Sequence, residues 1–231
     1  MLQRCRYNEY VQATGHRPQA RGQSNCGEVA ARRTRQAYAS GVPLPAARWP
    51  MTEWEPKNGI FILVNLQGEL AEQVHAIQKR FDPRLANFAP PHFTLTGSSG
   101  AGPIAADTPI DHLHEVLDPV ARSTEPLALH FERSMRFMQT NTFALPLDPH
   151  GPLRALHDRI SRSGLKFAPS RHAFTPHVTL SHYRTPTQEE AQELLSIRID
   201  DPFVVDHLVV SLTQEPNRPR ELFELELTGG G

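Results

Sequence analysis

The hexapeptide PHFTLT, at residues 91–96, is repeated 85 residues later as PHVTLS, at residues 176–181. Four of the six letters are identical, and the other two exchange Phe for Val and Thr for Ser. Alternate residues of a strand point to the same face, so each copy places one His beside one Thr and turns two apolar residues to the opposite face. The repeat therefore predicts two equivalent strands, each with an apolar back and with an imidazole and a hydroxyl in front.

The elements around the two copies follow a similar order. A buried strand at GIFILVNL and a helix at GELAEQVHAIQKRF precede the first copy, and residues 107–122 predict a helix after it. Residues 127–147 alternate like two strands of a hairpin. A helix at GPLRALHDRISRSG, the second copy, a helix with a capping box at Thr187 and Glu190, and two closing strands complete the series. This order predicts an α+β fold built from two similar lobes that are related by an approximate twofold axis.

The first fifty residues differ in composition from the rest of the chain. Residues 1–50 contain eight Arg and two Glu, a net charge of +6, whereas the remaining 181 residues carry a net charge of −7. They lack a sustained apolar period, so we expect a disordered basic extension, a transit peptide or a wrongly extended start, with Met51 as the native start. We expect one bilobal domain at residues 51–228 and a flexible glycine tail at residues 229–231.

Composition excludes several classes of protein. Apolar residues make up 39% of the chain and charged residues 21%, which is typical of a globular protein, and no run approaches the roughly 20 apolar residues of a membrane helix. Both cysteines lie in the first fifty residues, so the rest of the chain has no disulfide and no cysteine nucleophile. This usage fits a reducing cytoplasm. The sequence also lacks the HExxH pattern of many zinc enzymes.

Two strands that each carry one imidazole can serve one reaction if the lobes bring them together. One imidazole can then accept a proton from a nucleophile while the other donates a proton to a leaving group. Threonine hydroxyls can donate hydrogen bonds to phosphoryl oxygens without adding charge. The set therefore favours displacement at phosphorus without a metal ion. Either copy alone would more simply be a strand with a packed His, and the duplication is what favours the catalytic interpretation.

With these two motifs in these contexts, the chain resembles the two-histidine (2H) phosphoesterase family, and in particular its RNA 2′,3′-cyclic phosphodiesterase and 2′-5′ RNA ligase branch. The resemblance covers roughly residues 58–228. It implies a bilobal α+β fold in which each lobe contributes an antiparallel sheet to a central groove, with helices outside. It also implies that His92 and His177 are catalytic, that Thr94 and Thr179 hold the phosphate, and that no cofactor or metal is needed. By analogy His177 is the base and His92 the acid.

The flanks of the motifs depart from the family pattern. Many members have Arg two residues after the second Thr-Leu, where this chain has His182, and the first motif continues as TGSSG. For substrate binding we predict Arg171 as a cation and Phe174 and Tyr183 as stacking aromatics. Further candidates of the same two types are Arg136, Arg184, Phe137 and Phe143. The net acidic body argues against a long nucleic-acid footprint.

We therefore predict a cytoplasmic, monomeric enzyme that opens 2′,3′-cyclic phosphates of RNA ends or small nucleotides, with reversible 2′-5′ RNA ligation as an added activity. Another cyclic phosphate or a 2′-5′ oligonucleotide is the alternative substrate. A protein that binds RNA ends without catalysis is the alternative from another class. Six other histidines are predicted to be surface or packing residues: His75, His130, His150, His157, His172 and His207. His112 and His114 lie two residues apart on a predicted helix, so they face different directions and make a poor metal pair.

Overall fold

The computed structural model describes residues 58–229. The predicted extension at residues 1–50, the predicted start at Met51 and the last two glycines lie outside this range. Helices and strands alternate irregularly along the described chain. The helices are α1 (Gly68–Phe81), α2 (Pro83–Phe88), α3 (Ile110–Arg122), α4 (Gly151–Ser161) and α5 (Gln188–Ser196). The strands are β1 (Asn58–Asn65), β2 (His92–Thr96), β3 (Leu127–Leu129), β4 (Met135–Arg136), β5 (Phe143–Pro146), β6 (His177–Ser181), β7 (Phe203–Val205), β8 (His207–Gln214) and β9 (Arg220–Glu226).

Within residues 58–229, seven strands form one sheet in the order β4-β5-β6-β2-β1-β8-β9, and β3 pairs with β7 in a second, two-stranded sheet. Every pair of neighbouring strands is antiparallel. The two copies of the repeated hexapeptide are β2 and β6, and they lie side by side at the centre of the large sheet. The predicted α+β class with antiparallel strands is confirmed.

The two halves of the sheet share one hydrogen-bonding register. In the first half, β2 pairs with β1, so that His92 lies opposite Asn65 and Thr94 opposite Leu63. In the second half, β6 pairs with β5, so that His177 lies opposite Pro146. Each pairing also contains a register shift at the equivalent place. In both copies the shift lies between the residues that pair with the fourth and with the sixth position of the hexapeptide. The predicted twofold relation is thus present down to the position of an irregularity.

The two lobes exchange strands and share one core. Strands β4 and β5 both follow α3 of the first half, but β5 pairs with β6 of the second half; β8 follows α5 of the second half but pairs with β1. One continuous apolar cluster joins α1, α3 and α4 to the inner face of the large sheet, where Phe93, Leu95, Val178 and Leu180 are fully buried. The lobes are therefore halves of one sheet with a common core, which the order of elements alone did not indicate.

Several element boundaries differ from the predictions. The predicted strand at residues 127–138 is divided into β3 and β4, and the predicted strand at residues 203–214 is divided into β7 and β8. Helix α2 was not predicted; it begins at Pro83, and the side chain of Asp82 caps it by accepting a hydrogen bond from the Leu85 amide at 3.1 Å. The predicted capping box at the start of α5 is confirmed.

None of the helices between residues 58 and 229 combines the length and the apolar character that crossing a bilayer requires.

Candidate active site

The two motif histidines meet on the outer face of the large sheet. Strands β2 and β6 pair with Phe93 opposite Val178. In an antiparallel pair this register places His92 across from Thr179 and Thr94 across from His177. The two histidines are then diagonal neighbours, a relation that spans roughly 7 to 8 Å with a somewhat shorter distance between Cβ atoms. All four side chains line one cavity of about 780 Å³. A cavity of this size accommodates a nucleotide-sized ligand.

The same backbone contact orients both imidazoles. Nδ1 of His92 lies 2.7 Å from the carbonyl oxygen of Pro90, and Nδ1 of His177 lies 2.7 Å from the carbonyl oxygen of Thr175. A carbonyl oxygen can only accept, so in each ring Nδ1–H is the donor. This contact fixes the tautomer and leaves Nε2 as the nitrogen that can gain or lose a proton. Each ring is thus prepared for acid or base chemistry in the same way.

The proline before each histidine anchors the motif to the strand beside it. The carbonyl of Pro91 accepts a hydrogen bond from the Leu66 amide at 2.9 Å, and the carbonyl of Pro176 accepts one from the Leu147 amide at 3.0 Å. Leu66 immediately follows β1 and Leu147 immediately follows β5, so the two anchors are equivalent. Both prolines are buried, and their missing N–H groups leave no unsatisfied donor.

The walls of the cavity differ on the two sides of the central pair. The Phe137 ring packs edge-on against the His177 ring, with 4.8 Å between ring centroids. On the other side, Phe61 and Leu63 of β1 belong to a small apolar cluster on the outer face of the sheet, and both line the cavity. Gln78 of α1 donates through Nε2 to the Thr179 carbonyl at 2.7 Å and also lines the cavity.

Of the three substrate contacts predicted outside the motifs, Tyr183 lines the cavity. Its ring packs edge-on with that of Phe88 at 6.4 Å, and the guanidinium of Arg84 lies over it at 4.3 Å from the centroid. Burial, followed by the negative charge of Glu215, raises the pKa of the Tyr183 hydroxyl. The hydroxyl therefore stays protonated at neutral pH and can donate a hydrogen bond.

The structure does not place the other two, Phe174 and Arg171, among the residues that line the cavity. Phe174 is 5% exposed and stacks on His157 with 4.1 Å between centroids, because it continues the buried alternation that Pro176 and Val178 carry into β6. Arg171 is exposed in the loop before β6 and does not contribute to the cavity, whereas its neighbour His172 does. Of the further candidates, Phe137 reaches the cavity and Phe143 is buried. Arg136 donates hydrogen bonds to the loop between β4 and β5, and Arg184 donates one to Glu190.

Sequence reasoning missed the support behind the second motif. Oδ2 of Asp82, which is 1% exposed, accepts hydrogen bonds from the amides of His182 and Tyr183 at 2.8 and 2.7 Å. Nδ1 of His182 also lies 2.9 Å from the Thr142 hydroxyl oxygen. Asp82 is 100 residues away from His182 in sequence, so no local pattern could have indicated this contact.

The basic side chains known to line this cavity are imidazoles. Among the described residues known to line it there is no Lys or Arg, but there are four histidines and one carboxylate, that of Glu215. The four histidines are His92, His172, His177 and His182. Residues 58–229 contain no group of three or more His, Cys, Asp or Glu side chains that could share a metal ion.

Comparisons with known proteins agree with this architecture. The sequence profile of the 2′-5′ RNA ligase superfamily matches residues 66–216. A curated protein of Oceanobacillus iheyensis, OB1230, provisionally described as a phosphoesterase, is 30% identical over 114 residues, which is 48% of this chain and 63% of that protein. The chain thus matches less than two thirds of that relative's length.

Two solved structures share the fold. TT0787 of Thermus thermophilus matches with a TM-score of 0.55 and 17% identity, covering 74% of this chain and 99% of that one. The apo form of LigT from E. coli matches with a TM-score of 0.50 and 19% identity, covering 75% and 99%. Because the family profile covers more than half of the sequence and the two motif strands meet at one cavity, the chain belongs to the 2′-5′ RNA ligase superfamily of two-histidine phosphoesterases.

Proposed function

We propose that the protein hydrolyses 2′,3′-cyclic phosphates at RNA ends or on small nucleotides, without a metal ion, by general acid–base catalysis through two histidines. The observation that carries this proposal is the pairing of β2 with β6. It brings two imidazoles to one cavity, each with its Nδ1–H donated to a backbone carbonyl at 2.7 Å. The match to the 2′-5′ RNA ligase superfamily supports the substrate class.

In the proposed reaction, Nε2 of His177 accepts a proton from a water molecule as the water oxygen forms a bond to phosphorus. The bond between phosphorus and one ribose oxygen breaks in line with this attack. The Nε2–H group of His92 donates a proton to that oxygen, which leaves as a hydroxyl group. The product is a 2′- or 3′-phosphomonoester, and the two imidazoles end with their protonation states exchanged.

The threonine hydroxyls hold the phosphate between the two rings. Thr94 lies across the strand pair from His177, and Thr179 lies across from His92, so each hydroxyl flanks the site of the reaction. A hydrogen bond to a charged acceptor stabilises a complex by about 1.5 to 3 kcal/mol. Because the hydroxyls are neutral, they add this stabilisation without changing the pKa of the imidazoles through charge.

The shape of the cavity favours small substrates. Apolar and aromatic side chains flank the histidines on both sides, at Phe137 and at Phe61, and these can pack against a base or a ribose. The described body carries excess negative charge, which disfavours a long polynucleotide. A mononucleotide or the last residues of an RNA strand is the substrate we propose. We also propose that the protein acts as a monomer in the cytoplasm.

The test is turnover of a 2′,3′-cyclic mononucleotide and of an RNA oligomer ending in a cyclic phosphate, both in excess EDTA. Phosphorus NMR identifies the 2′- or 3′-monoester, and a reaction in ¹⁸O-water shows one labelled oxygen on the product phosphorus if water attacks there. Unchanged turnover on adding EDTA supports the mechanism. Loss of turnover on chelation, with recovery on adding a divalent metal, rejects the metal-free step.

A ligase reaction uses the same groups with another nucleophile. If a 5′-hydroxyl of RNA replaces water, His177 accepts its proton as its oxygen bonds to phosphorus. The bond between phosphorus and the ribose 3′-oxygen then breaks, His92 donates a proton to that oxygen, and a 2′-5′ phosphodiester remains. The name of the matching superfamily favours testing this reaction. An RNA donor with a cyclic phosphate and an acceptor with a 5′-hydroxyl would give a joined product that resists nucleases specific for 3′-5′ linkages. Affinity for RNA ends with neither turnover nor joining would instead indicate a binding protein.

A further inference from the structure

Two contacts within the protein orient the ring of His177. Its Nδ1 lies 2.7 Å from the carbonyl oxygen of Thr175, and the Phe137 ring packs edge-on against it, with 4.8 Å between ring centroids and 67° between ring planes. The hydrogen bond alone would still let the imidazole swing, because the second side-chain torsion of a histidine is broad. The packed aromatic ring restricts this swing, and so it helps to set the plane of the imidazole.

Phe137 lies in the turn between β4 and β5, which is held by hydrogen bonds. The amide of Phe137 donates to the Thr142 carbonyl at 3.0 Å. The guanidinium of Arg136 donates to Oδ1 of Asn141 at 3.1 Å, and Nδ2 of Asn141 donates to the Thr185 hydroxyl oxygen at 2.8 Å. The side chain of Asn141 therefore connects the strand before the turn to the segment after β6, the strand that begins with His177.

Burial does not hold the tip of this turn. Met138 is 87% exposed, although it lines the cavity. The next residue, Gln139, has a φ of 61°, and in the described part of the chain it is the one residue other than glycine with a positive φ. A glutamine rarely adopts this conformation, which persists only where surrounding contacts impose it. The hydrogen bonds therefore give the turn a fixed shape, and this shape places the Phe137 ring against His177.

An aromatic ring in this place can affect the rate without contacting the substrate. Proton transfer depends on the distance and angle between the imidazole nitrogen and the reacting oxygen, and a misplacement of about 1 Å can lower a rate by about 10²-fold. Nε2 of His177 moves when the ring swings about its Nδ1 contact. A side chain that limits this swing raises the fraction of complexes in which the imidazole can accept the proton.

We propose that Phe137 is a positioning residue for His177: it holds the plane of the imidazole, and the hydrogen-bonded turn holds Phe137. This inference rests on the proposed function in that His177 is taken to transfer a proton. It differs from packing against a base, because this contact lies within the protein and needs no substrate. The expected signature is a loss in kcat that does not depend on the base of the substrate.

The kinetic test measures kcat and KM for the 2′,3′-cyclic phosphates of adenosine, guanosine, cytidine and uridine. We expect Phe137→Leu to lower kcat by about 10- to 30-fold for all four substrates, with each KM within about threefold of wild type. Phe137→Tyr keeps the ring and should retain kcat within about threefold of wild type. Asn141→Ala removes side-chain bonds of the turn without changing the ring, and it should lower kcat by about three- to tenfold.

A second measurement does not depend on turnover. In protein with ¹⁵N-labelled histidine, solvent exchange of the Nδ1–H proton of His177 reports how often the ring leaves the Thr175 carbonyl, and loss of this signal in His177→Asn identifies it. We expect Phe137→Leu to speed up the exchange by about tenfold and Phe137→Tyr to leave it within about twofold of wild type. Thermal melting of each variant confirms folding.

Phe223→Leu is the matched control. Phe223 stacks on His114 with 3.8 Å between ring centroids, and neither residue is among those known to line the cavity. The variant thus removes a ring contact with a histidine elsewhere in the fold. We expect kcat, KM and the exchange at His177 to stay within about twofold of wild type. A loss in kcat as large as that of Phe137→Leu would indicate a general effect of losing a phenyl ring and would overturn the inference.

The two measurements also separate this inference from the proposed function. A rise in KM that differs between the four bases, with kcat retained, would place the Phe137 ring on the substrate and overturn the inference. An equal loss of kcat in Phe137→Tyr, or unchanged exchange in Phe137→Leu, would do the same. If wild type hydrolyses none of the cyclic nucleotides, the proposed function fails, and the exchange measurement still decides whether Phe137 holds His177. If wild type hydrolyses them while Phe137→Leu changes neither kcat nor exchange, the reaction stands and the assignment of Phe137 fails.

Discussion

The two central strands, β2 and β6, are alike through six residues and then diverge. They share the burial pattern, the register shift with the neighbouring strand, the anchored proline and the contact of Nδ1 with a carbonyl two residues earlier. After the sixth residue, β2 enters a glycine turn at residues 97–102, while β6 enters His182 and Tyr183, whose amides are held by Asp82. The repeated part thus contains the groups of the proposed proton transfer, and the divergent part gives the cavity its asymmetry.

Among the changes that distinguish the two strands, we expect the removal of either motif imidazole, His92 or His177, to have the largest effect on the rate. We expect His92→Asn and His177→Asn each to lower kcat by about 10²- to 10⁴-fold, because each removes one partner of a coupled proton transfer. The double variant should be little slower than the worse single variant, since the two groups act as a unit. Single-turnover kinetics measures this effect, with His150→Asn on the surface as the control. A single variant that retains a rate within about tenfold of wild type would remove its histidine from the mechanism.

The segment that follows β6, His182 and Tyr183, can be destabilised without changing either motif. In Asp82→Ala the amides of Leu85, His182 and Tyr183 lose their acceptor, and we expect the free energy of unfolding to fall by about 3 kcal/mol because buried donors are left unsatisfied. Urea denaturation measures this change. The exposed Asp111→Ala is the control and should cost less than about 0.5 kcal/mol. A loss equally small for Asp82→Ala would show that this carboxylate does not support the exit of β6.

The threonines test how symmetric the phosphate site is. We expect Thr94→Val and Thr179→Val each to lower kcat/KM by about 10- to 100-fold, because each removes a hydrogen bond to a charged oxygen at nearly constant volume. Thr94→Ser and Thr179→Ser are the matched controls and should keep most of the activity. Equal losses would extend the twofold relation to the bound phosphate, and unequal losses would show which half holds it. Full activity in both Val variants would contradict the assignment.

The glycine turn that follows β2 should make the stability of the protein depend on pH, unlike the segment that follows β6. A Cβ added at Gly100 would overlap Nε2 of His157, so the glycine turn rests against this buried ring, and burial lowers the pKa of the ring despite its hydrogen bond to Asp158. In the unfolded chain His157 therefore becomes protonated near pH 6.5, whereas in the folded chain it stays neutral at this pH. The free energy of unfolding therefore falls as the pH drops through this value. Asp158 has a lowered pKa, so the stability that it contributes is present above about pH 4 and is lost only as the pH falls below that value.

The measurement is urea unfolding of wild type and His157→Gln between about pH 5 and 8. Below about pH 6.5 we expect the free energy of unfolding of wild type to fall more steeply with decreasing pH than that of the variant. The difference in slope should correspond to the uptake of up to one additional proton on unfolding. His130→Gln, with an exposed imidazole, should follow wild type. Parallel curves for wild type and His157→Gln would show that this ring does not cause the acid sensitivity.

The duplicated motif and the strand period were enough to predict which side chains face the cavity. His92, Thr94, His177 and Thr179 follow from alternation in two strands, and the twofold arrangement follows from the repeated order of elements. The exchange of strands between the halves could not be predicted, because it depends on which edges meet in three dimensions. Asp82 was missed for the same reason, since a contact over 100 residues leaves no local pattern.

Two of the predicted substrate contacts lie away from the cavity for a common reason. Phe174 and Arg171 were chosen for their residue types near the second motif, but position relative to the sheet decides whether a side chain reaches the cavity. Phe174 is in phase with the buried residues of β6 and packs on His157. Phe137 reaches His177 from the turn between β4 and β5, which is remote in sequence. Aromatic character was therefore a poor guide, and strand phase would have been the better one for Phe174.

The central claim is that the two motif imidazoles form an acid–base pair that acts on a phosphodiester. The most direct test is kcat/KM for a 2′,3′-cyclic mononucleotide as a function of pH for wild type, His92→Ala and His177→Ala. We predict a bell-shaped profile for wild type, with one limb missing from the residual activity of each variant. A flat wild-type profile, or a variant that keeps both limbs, would contradict the claim.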